Sequence, residues 1–166
     1  MLLALVAFQA CDGASVYVQF DAAFPSAVQK HIFSLLAPYS PTLVPSNATA
    51  SAQYQGTALA FGNPGFCANA GFTLANTSEA FQVIQSTPVG GLTVFCADGN
   101  PTSNALGQYL QNSGRLFAAF QLLQDIGFSF FHPFFPSPPL SAPQVTPVPS
   151  FVNKKVHQPY YDIRGE

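Results

Sequence analysis

Apolar and polar residues alternate with a period of two in Ser15–Phe20 and in Ala80–Gln85. In Ser15–Phe20 (SVYVQF), Val16, Val18 and Phe20 share one side and Tyr17 and Gln19 the other, which is the pattern of a strand. Gly56–Phe61 (GTALAF), Ala80–Gln85 (AFQVIQ) and Leu92–Ala97 (LTVFCA) predict three more strands. The last two are joined through Thr87-Pro88-Val89-Gly90-Gly91 and predict an antiparallel hairpin. Ala70–Leu74 is either a short strand or a loop. Helical spacing occurs twice. Val28, Ile32, Leu35 and Leu36 follow Pro25, which can open a helix, and precede Pro38, which must end it. Leu116, Ala119, Phe120, Leu123 and Ile126 fall on one face of a helix over Arg115–Ile126. Gly127 then stands where a left-handed residue closes a helix, with Phe128 placed to fold back on the last turn. A separate helical piece is expected over Pro101–Gln111, after the cap residue Asn100, with Asn112-Ser113-Gly114 as an interruption. The order of elements predicts an α+β fold: a two-layer sandwich with a small, mainly antiparallel sheet and two main helices on one face.

Seven prolines lie between Pro133 and Pro149, so that stretch is neither a helix nor a central strand. It predicts an extended connection. Pro41–Gln55 reads as a polar loop.

Composition narrows the function. Of 166 residues, 48% are hydrophobic and only 7% charged, against about 25% charged in an ordinary soluble domain. The polar surface therefore consists mostly of Ser, Thr, Asn and Gln, as in extracellular, glycan-covered proteins. A net charge of −2, with Lys154 and Lys155 the only adjacent basic pair, argues against nucleic acid as a partner. Leu2–Ala10 has the length of a signal-peptide core and is too short to span a bilayer; the alternative is an N-terminal strand. Cleavage after Gly13 would remove Cys11 and leave Cys67 and Cys96, an even pair that suggests one disulfide in an oxidising compartment; two independent thiols are the alternative. Asn47-Ala-Thr49 and Asn76-Thr-Ser78 are N-glycosylation sequons in loop-like segments. Together these features predict a secreted protein.

The sequence carries no catalytic constellation. Neither Gly-x-Ser-x-Gly nor a Gly-Lys-Ser/Thr phosphate loop is present. Neither Cys67 nor Cys96 has a second Cys or His within four residues, so no zinc site and no cofactor are expected. Asp98 reads as a turn residue, Asp125 as the polar side of a helix end, and Glu79 as a strand start; none of the acids is spaced for paired-carboxylate chemistry. His31 and His132 read as a surface helix residue and a packed residue. Tyr39, Tyr54 and Tyr109 are the candidates for stacking on a sugar, in a freestanding carbohydrate-binding module.

Four segments together carry a family resemblance. Leu92–Gly99 is a strand ending in a turn, Ala119–Gly127 (AFQLLQDIG) a helix with a glycine stop, and Phe130-Phe131-His132-Pro133 an aromatic exit. Pro159-Tyr160-Tyr161-Asp162-Ile163-Arg164-Gly165 follows the prolines. This order resembles the N-terminal, non-catalytic α+β domain that precedes the catalytic barrel of α-glucuronidases, β-hexosaminidases and related glycoside hydrolases. Relative to that family, Asn100–Ser113 is an insertion. With the signal peptide placed over residues 1–13 by its own apolar run, the resemblance implies an accessory domain over 14–132 and a linker over 133–166 that leads through Arg164 and Gly165 into the first barrel strand. It implies no catalytic residue in this chain. The acids that cleave O-glycosidic bonds would lie on the barrel, which would be the domain's partner and would act on a polysaccharide or glycoconjugate.

Overall fold

A computed structural model describes residues 15–74, 80–86, 89–100 and 113–128, together with the backbone of Val156–His157. The elements run β1 (Ser15–Phe20), α1 (Ser26–Leu36), β2 (Thr42–Val44), β3 (Gly56–Phe61), β4 (Phe81–Gln85), β5 (Leu92–Gly99), α2 (Ser113–Asp125) and β6 (Val156–His157). Five strands and the two-residue β6 make one mixed sheet in the order β2-β1-β3-β5-β4-β6.

The class is α+β, but the sheet is not mainly antiparallel as the alternation led one to expect. β1 pairs in parallel with both β2 and β3, and β3 pairs in parallel with β5. Only β4 runs against its neighbours, β5 and β6. The β4–β5 hairpin is therefore present as expected, while the rest of the sheet is parallel. Parallel neighbours need a crossover, usually a helix, and α1 supplies it between β1 and β2. Between β2 and β3 the irregular segment 45–55 carries the chain across instead, and β3 and β5 come to lie parallel because the antiparallel β4 intervenes between them in sequence. Nothing in the local pattern marks such a loop as a crossover.

Each face of the sheet has its own core. On the first face, Val18, Phe20, Leu59, Phe61, Val83, Phe95 and Ala97 meet Ile32 and Leu36 of α1 and Ala118, Ala119, Leu122 and Leu123 of α2. Both helices thus pack on one face, as the sequence predicts. Phe20 stacks on Phe61 at 5.3 Å between ring centres, and Phe24 leans on both rings at 5.7 and 6.3 Å. Burying each such side chain stabilises the fold by about 1.5–3 kcal/mol. On the second face, Ala58, Ala60, Val94, Cys96 and Ile84 are covered not by α-helices but by Val44 from a strand end, Phe66 and Cys67 from the short 3-10 turn Gly65–Cys67, and Ala70 from a loop. The small Ala58 and Ala60 are what let a loop approach this closely.

Helix ends follow the local chemistry. Pro25 caps α1, its carbonyl accepting from the N–H groups of Val28 and Gln29 at 3.0 Å each, and Pro38 falls in a 3-10 turn directly after Leu36. At the end of α2, Gly127 has φ +106°. Its N–H donates to the Gln124 carbonyl at 2.9 Å, and Phe128 N–H reaches back to Leu123 at 3.0 Å. These two bonds are the Schellman pattern, and they bury Phe128 in the first core.

Three local expectations need correction, and Ala70–Leu74 takes the loop of its two alternatives. Pro41–Gln55 is not wholly loop, because Thr42–Val44 adds the edge strand β2. Gly114 does not interrupt a helix: α2 starts at Ser113 and runs through it. β5 continues to Gly99, so Asp98 is a buried strand residue rather than a turn residue. The expected signal peptide, the helical piece at Pro101–Gln111 and most of the linker over 133–166 lie outside the described residues. Within that linker span, the backbone of Val156–His157 pairs with Gln82 and Phe81 of β4.

Candidate functional site

β1, β3 and β5 are parallel, so their carboxyl ends come together at one end of the sheet. In open sheets of this kind that end is where ligands bind, beside the strand from which the chain turns both ways. Here that strand is β1, with β2 on one side and β3 on the other.

Three charged side chains meet there. Asp21 follows β1, its N–H held by the Phe61 carbonyl at 2.8 Å and its Oδ1 accepting from Ala23 N–H at 2.8 Å. Asp98 stands near the end of β5, and its Oδ1 accepts from Gly99 N–H at 2.9 Å. Arg115, in the first turn of α2, lies between them. Its Nη1 is 3.6 Å from Asp21 Oδ1 and its Nε is 3.3 Å from Asp98 Oδ1. Nε makes no directed hydrogen bond, so the contact with Asp98 is one of charge against charge. Burial pushes the Asp98 carboxyl above its ordinary value, and Asp21 adds to this; the Gly99 N–H and Arg115 oppose it. The acids are thus tied to a cation and to backbone N–H groups. Asp98, 7% exposed, has little access to a substrate.

An open cleft of about 350 Å³ adjoins this end, lined by Phe20, Asp21, Gln29, Leu43 and Ser46 among others. Neither Asp98 nor Arg115 lines it, and Asp21 is its only charged lining residue among the described residues. An apolar furrow of about 300 Å³ continues beside it between α1 and β2, with Lys30 and Phe33 on its wall and Leu43 shared. One carboxylate, already paired, gives such a cleft no acid–base couple.

The sequence-derived candidates distribute as follows. Cys67 and Cys96 are joined in a disulfide, with Cα atoms 5.8 Å apart. Asn47 sits exposed in a turn directly after β2. Asn76, Arg164 and Gly165 lie outside the described residues, as do Tyr109 and His132. Tyr54 packs edge-on against Tyr17 and Phe66 at 5.2 and 5.1 Å, and Tyr39 against Phe128 at 6.3 Å, so both work in packing. His31 is an exposed residue of α1, as expected. No group of three or more His, Cys, Asp or Glu side chains among the described residues is placed to hold a metal ion.

Sequence reasoning missed two things. One is the Asp21–Arg115–Asp98 group. A trace of it was visible, since a cation in a helix's first turn faces the positive end of the dipole and calls for acidic partners. The other is Gln19, fully buried on the second face. Its Nε2 donates to the carbonyls of Pro45 (2.6 Å) and Ala48 (2.9 Å), and its Oε1 accepts from Phe66 N–H (2.9 Å). This one side chain fastens two loops to the sheet; its alternation with Val18 and Phe20 gave only its side, not its partners.

No helix among the described residues is long and apolar enough to cross a membrane. No family model, no curated protein and no solved structure matches the chain.

Proposed function

We propose that this chain is a non-catalytic accessory α+β domain of a secreted glycoside-hydrolase-like protein, in which a separate barrel carries out O-glycosyl hydrolysis on a polysaccharide or glycoconjugate. The observation that carries this reading is the state of the acids at the sheet's carboxyl end. Asp98 is buried and Asp21 is paired, both to Arg115, which suits a structural latch and not a pair of working carboxyls. The motifs over Leu92–Gly99 and Ala119–Gly127 and the placement of both helices on one face agree with such a domain. A disulfide is compatible with an extracellular setting. The rival role, a freestanding module that stacks sugars on tyrosines, loses two of its three candidates, because Tyr39 and Tyr54 are engaged in packing.

The test is turnover. The purified chain, offered a panel of aryl glycosides, is expected to release no aglycone above buffer. Release that disappears in Asp21→Asn or Asp98→Asn would overturn the proposal. A second check is the transcript beyond the codon for Glu166: an open frame entering a barrel with paired acids supports it, and an immediate stop codon turns the reading toward a freestanding module.

A further inference from the structure

Asn47 is held in an unusual combination of exposure and rigidity. It belongs to the turn Pro45-Ser46-Asn47-Ala48, closed by Ala48 N–H on the Pro45 carbonyl at 3.0 Å. Gln19 grips the carbonyls of Pro45 and Ala48 from below, and Gly65 N–H donates to the Ser46 carbonyl at 2.8 Å. Gly65 is required there, because a Cβ on it would collide with the Ala48 carbonyl oxygen. Two residues further on, Cys67 binds the same loop system to β5. Within this frame the side chains of both Asn47 and Thr49, the two recognised positions of the sequon, are exposed.

What adjoins Asn47 is poorly protected. β2 is an edge strand, and edges are usually guarded by charges, prolines or covering loops. Thr42-Leu43-Val44 has no charge and relies on the flanking Pro41 and Pro45. Leu43 is 58% exposed, the most open large apolar side chain among the described residues. It lines both the cleft and the apolar furrow, and Val44, Pro45 and Ser46 continue the cleft wall up to Asn47. Among the described residues, only Asp21 in the cleft and Lys30 on the furrow wall bring charge to the lining of this region.

We infer that Asn47 is an N-glycosylation site and that its glycan screens the β2 edge and the cleft beside it. The reaction requires a lipid-linked oligosaccharide diphosphate as donor. The Asn47 amide nitrogen attacks C1 of the donor's first sugar, and the C1–oxygen bond to phosphate breaks. The lipid diphosphate leaves, and the amide nitrogen gives up one proton as the N–glycosidic bond forms. The inference rests on the secreted location proposed above.

The experiment uses the full chain with its own N-terminus, expressed in a eukaryotic secretory cell. Enzymatic deglycosylation that converts Asn47 to Asp is read by peptide mass spectrometry, and free thiols are read by alkylation. We expect Asn47 to carry glycan in the wild type and in Thr49→Ser, which keeps the sequon, and to be bare in Thr49→Ala, which leaves Asn47 itself untouched. Asn47→Gln should self-associate in sedimentation velocity at concentrations where the wild type is monomeric. A secreted chain with Cys67 and Cys96 blocked and Asn47 bare overturns this inference and leaves the secreted reading standing. A chain retained in the cell with both cysteines alkylated overturns both. Glycan at Asn47 with a monomeric Asn47→Gln variant overturns the screening role.

Discussion

Arg115 enters α2 at the end where a positive charge is least welcome, and two carboxylates compensate it. The pairing has a cost on the other side, since Asp98 must ionise in a buried place. Its folded-state value is raised above the ordinary 3.8, so in the interval between the two values the folded protein holds more protons than the unfolded chain. Stability from this group is then full below 3.8 and is lost as pH rises through the raised value. The difference in unfolding free energy between wild type and Asp98→Asn should therefore become more favourable to wild type as pH falls from neutral toward 3.8. About 1.4 kcal/mol accompanies each tenfold difference in proton affinity between the folded and unfolded chain. Urea denaturation midpoints measured along that pH series check it. A difference that moves the opposite way would mean that Arg115 outweighs desolvation at Asp98. None of these three residues stands close to another in sequence, and their meeting depends on the β1, β5 and α2 ends converging.

At the scale of elements, α2 shows how a local pattern can be right in its period and wrong at its start. Its stop was legible, because Gly127 and Phe128 make a helix end through their own backbone and side chains. Its beginning was not. Gly114 looked like a break, yet it is a buried helical residue chosen for close approach. A Cβ on Gly114 would lie 2.6 Å from the Ala80 carbonyl oxygen and 2.7 Å from Asn100 N. A Cβ on Gly99 would overlap the Gly114 backbone in turn. Gly114→Ala would gain helix propensity of about 1 kcal/mol, but overpacking against a hydrogen-bonded strand end costs about 1–3 kcal/mol. We expect the variant to be less stable by up to about 2 kcal/mol in thermal or urea unfolding. A more stable variant would show that α2 can shift away from β5. β2 escaped the sequence for a similar reason: three residues between two prolines carry too little alternation to register, and only pairing with Tyr17–Gln19 makes them a strand.

For the whole molecule, the decisive arrangement is a sheet with two unlike coverings. Two helices protect one face by apolar burial, with Arg115 of α2 also tied to Asp21 and Asp98 at the strand ends. The other face depends on irregular chain held by the Gln19 and Gln82 side chains, the Cys67–Cys96 bridge and the packing of Phe66 and Tyr54, among other contacts. Cross-linking residues 29 apart in sequence stabilises by about 3–4 kcal/mol through the unfolded chain. Cys67→Ala/Cys96→Ala should lower the unfolding free energy by about that amount. Loss should be felt first on the second face: hydrogen exchange at Gly65–Cys67 should rise more than at Leu122 and Leu123 of α2. Uniform acceleration across both faces would mean that the loop covering and the helical layer unfold as one unit.

The sequence by itself determined four strands and two helices, the β4–β5 hairpin, the Schellman stop, the helices' shared face and the candidate cysteine pair. Most of these are written in residues close together, or in chemistry, such as a positive-φ glycine, that leaves few outcomes. The tertiary structure alone decided the parallel direction of β1, β2, β3 and β5, since direction depends on where a connecting segment lies and not on what it is made of. It alone made Gln19 a clamp, put Gly114 against a strand end, and gathered Asp21, Arg115 and Asp98 into one group. Those contacts join residues that no single local element contains, where the energy comes from burial and charge proximity that no local pattern records.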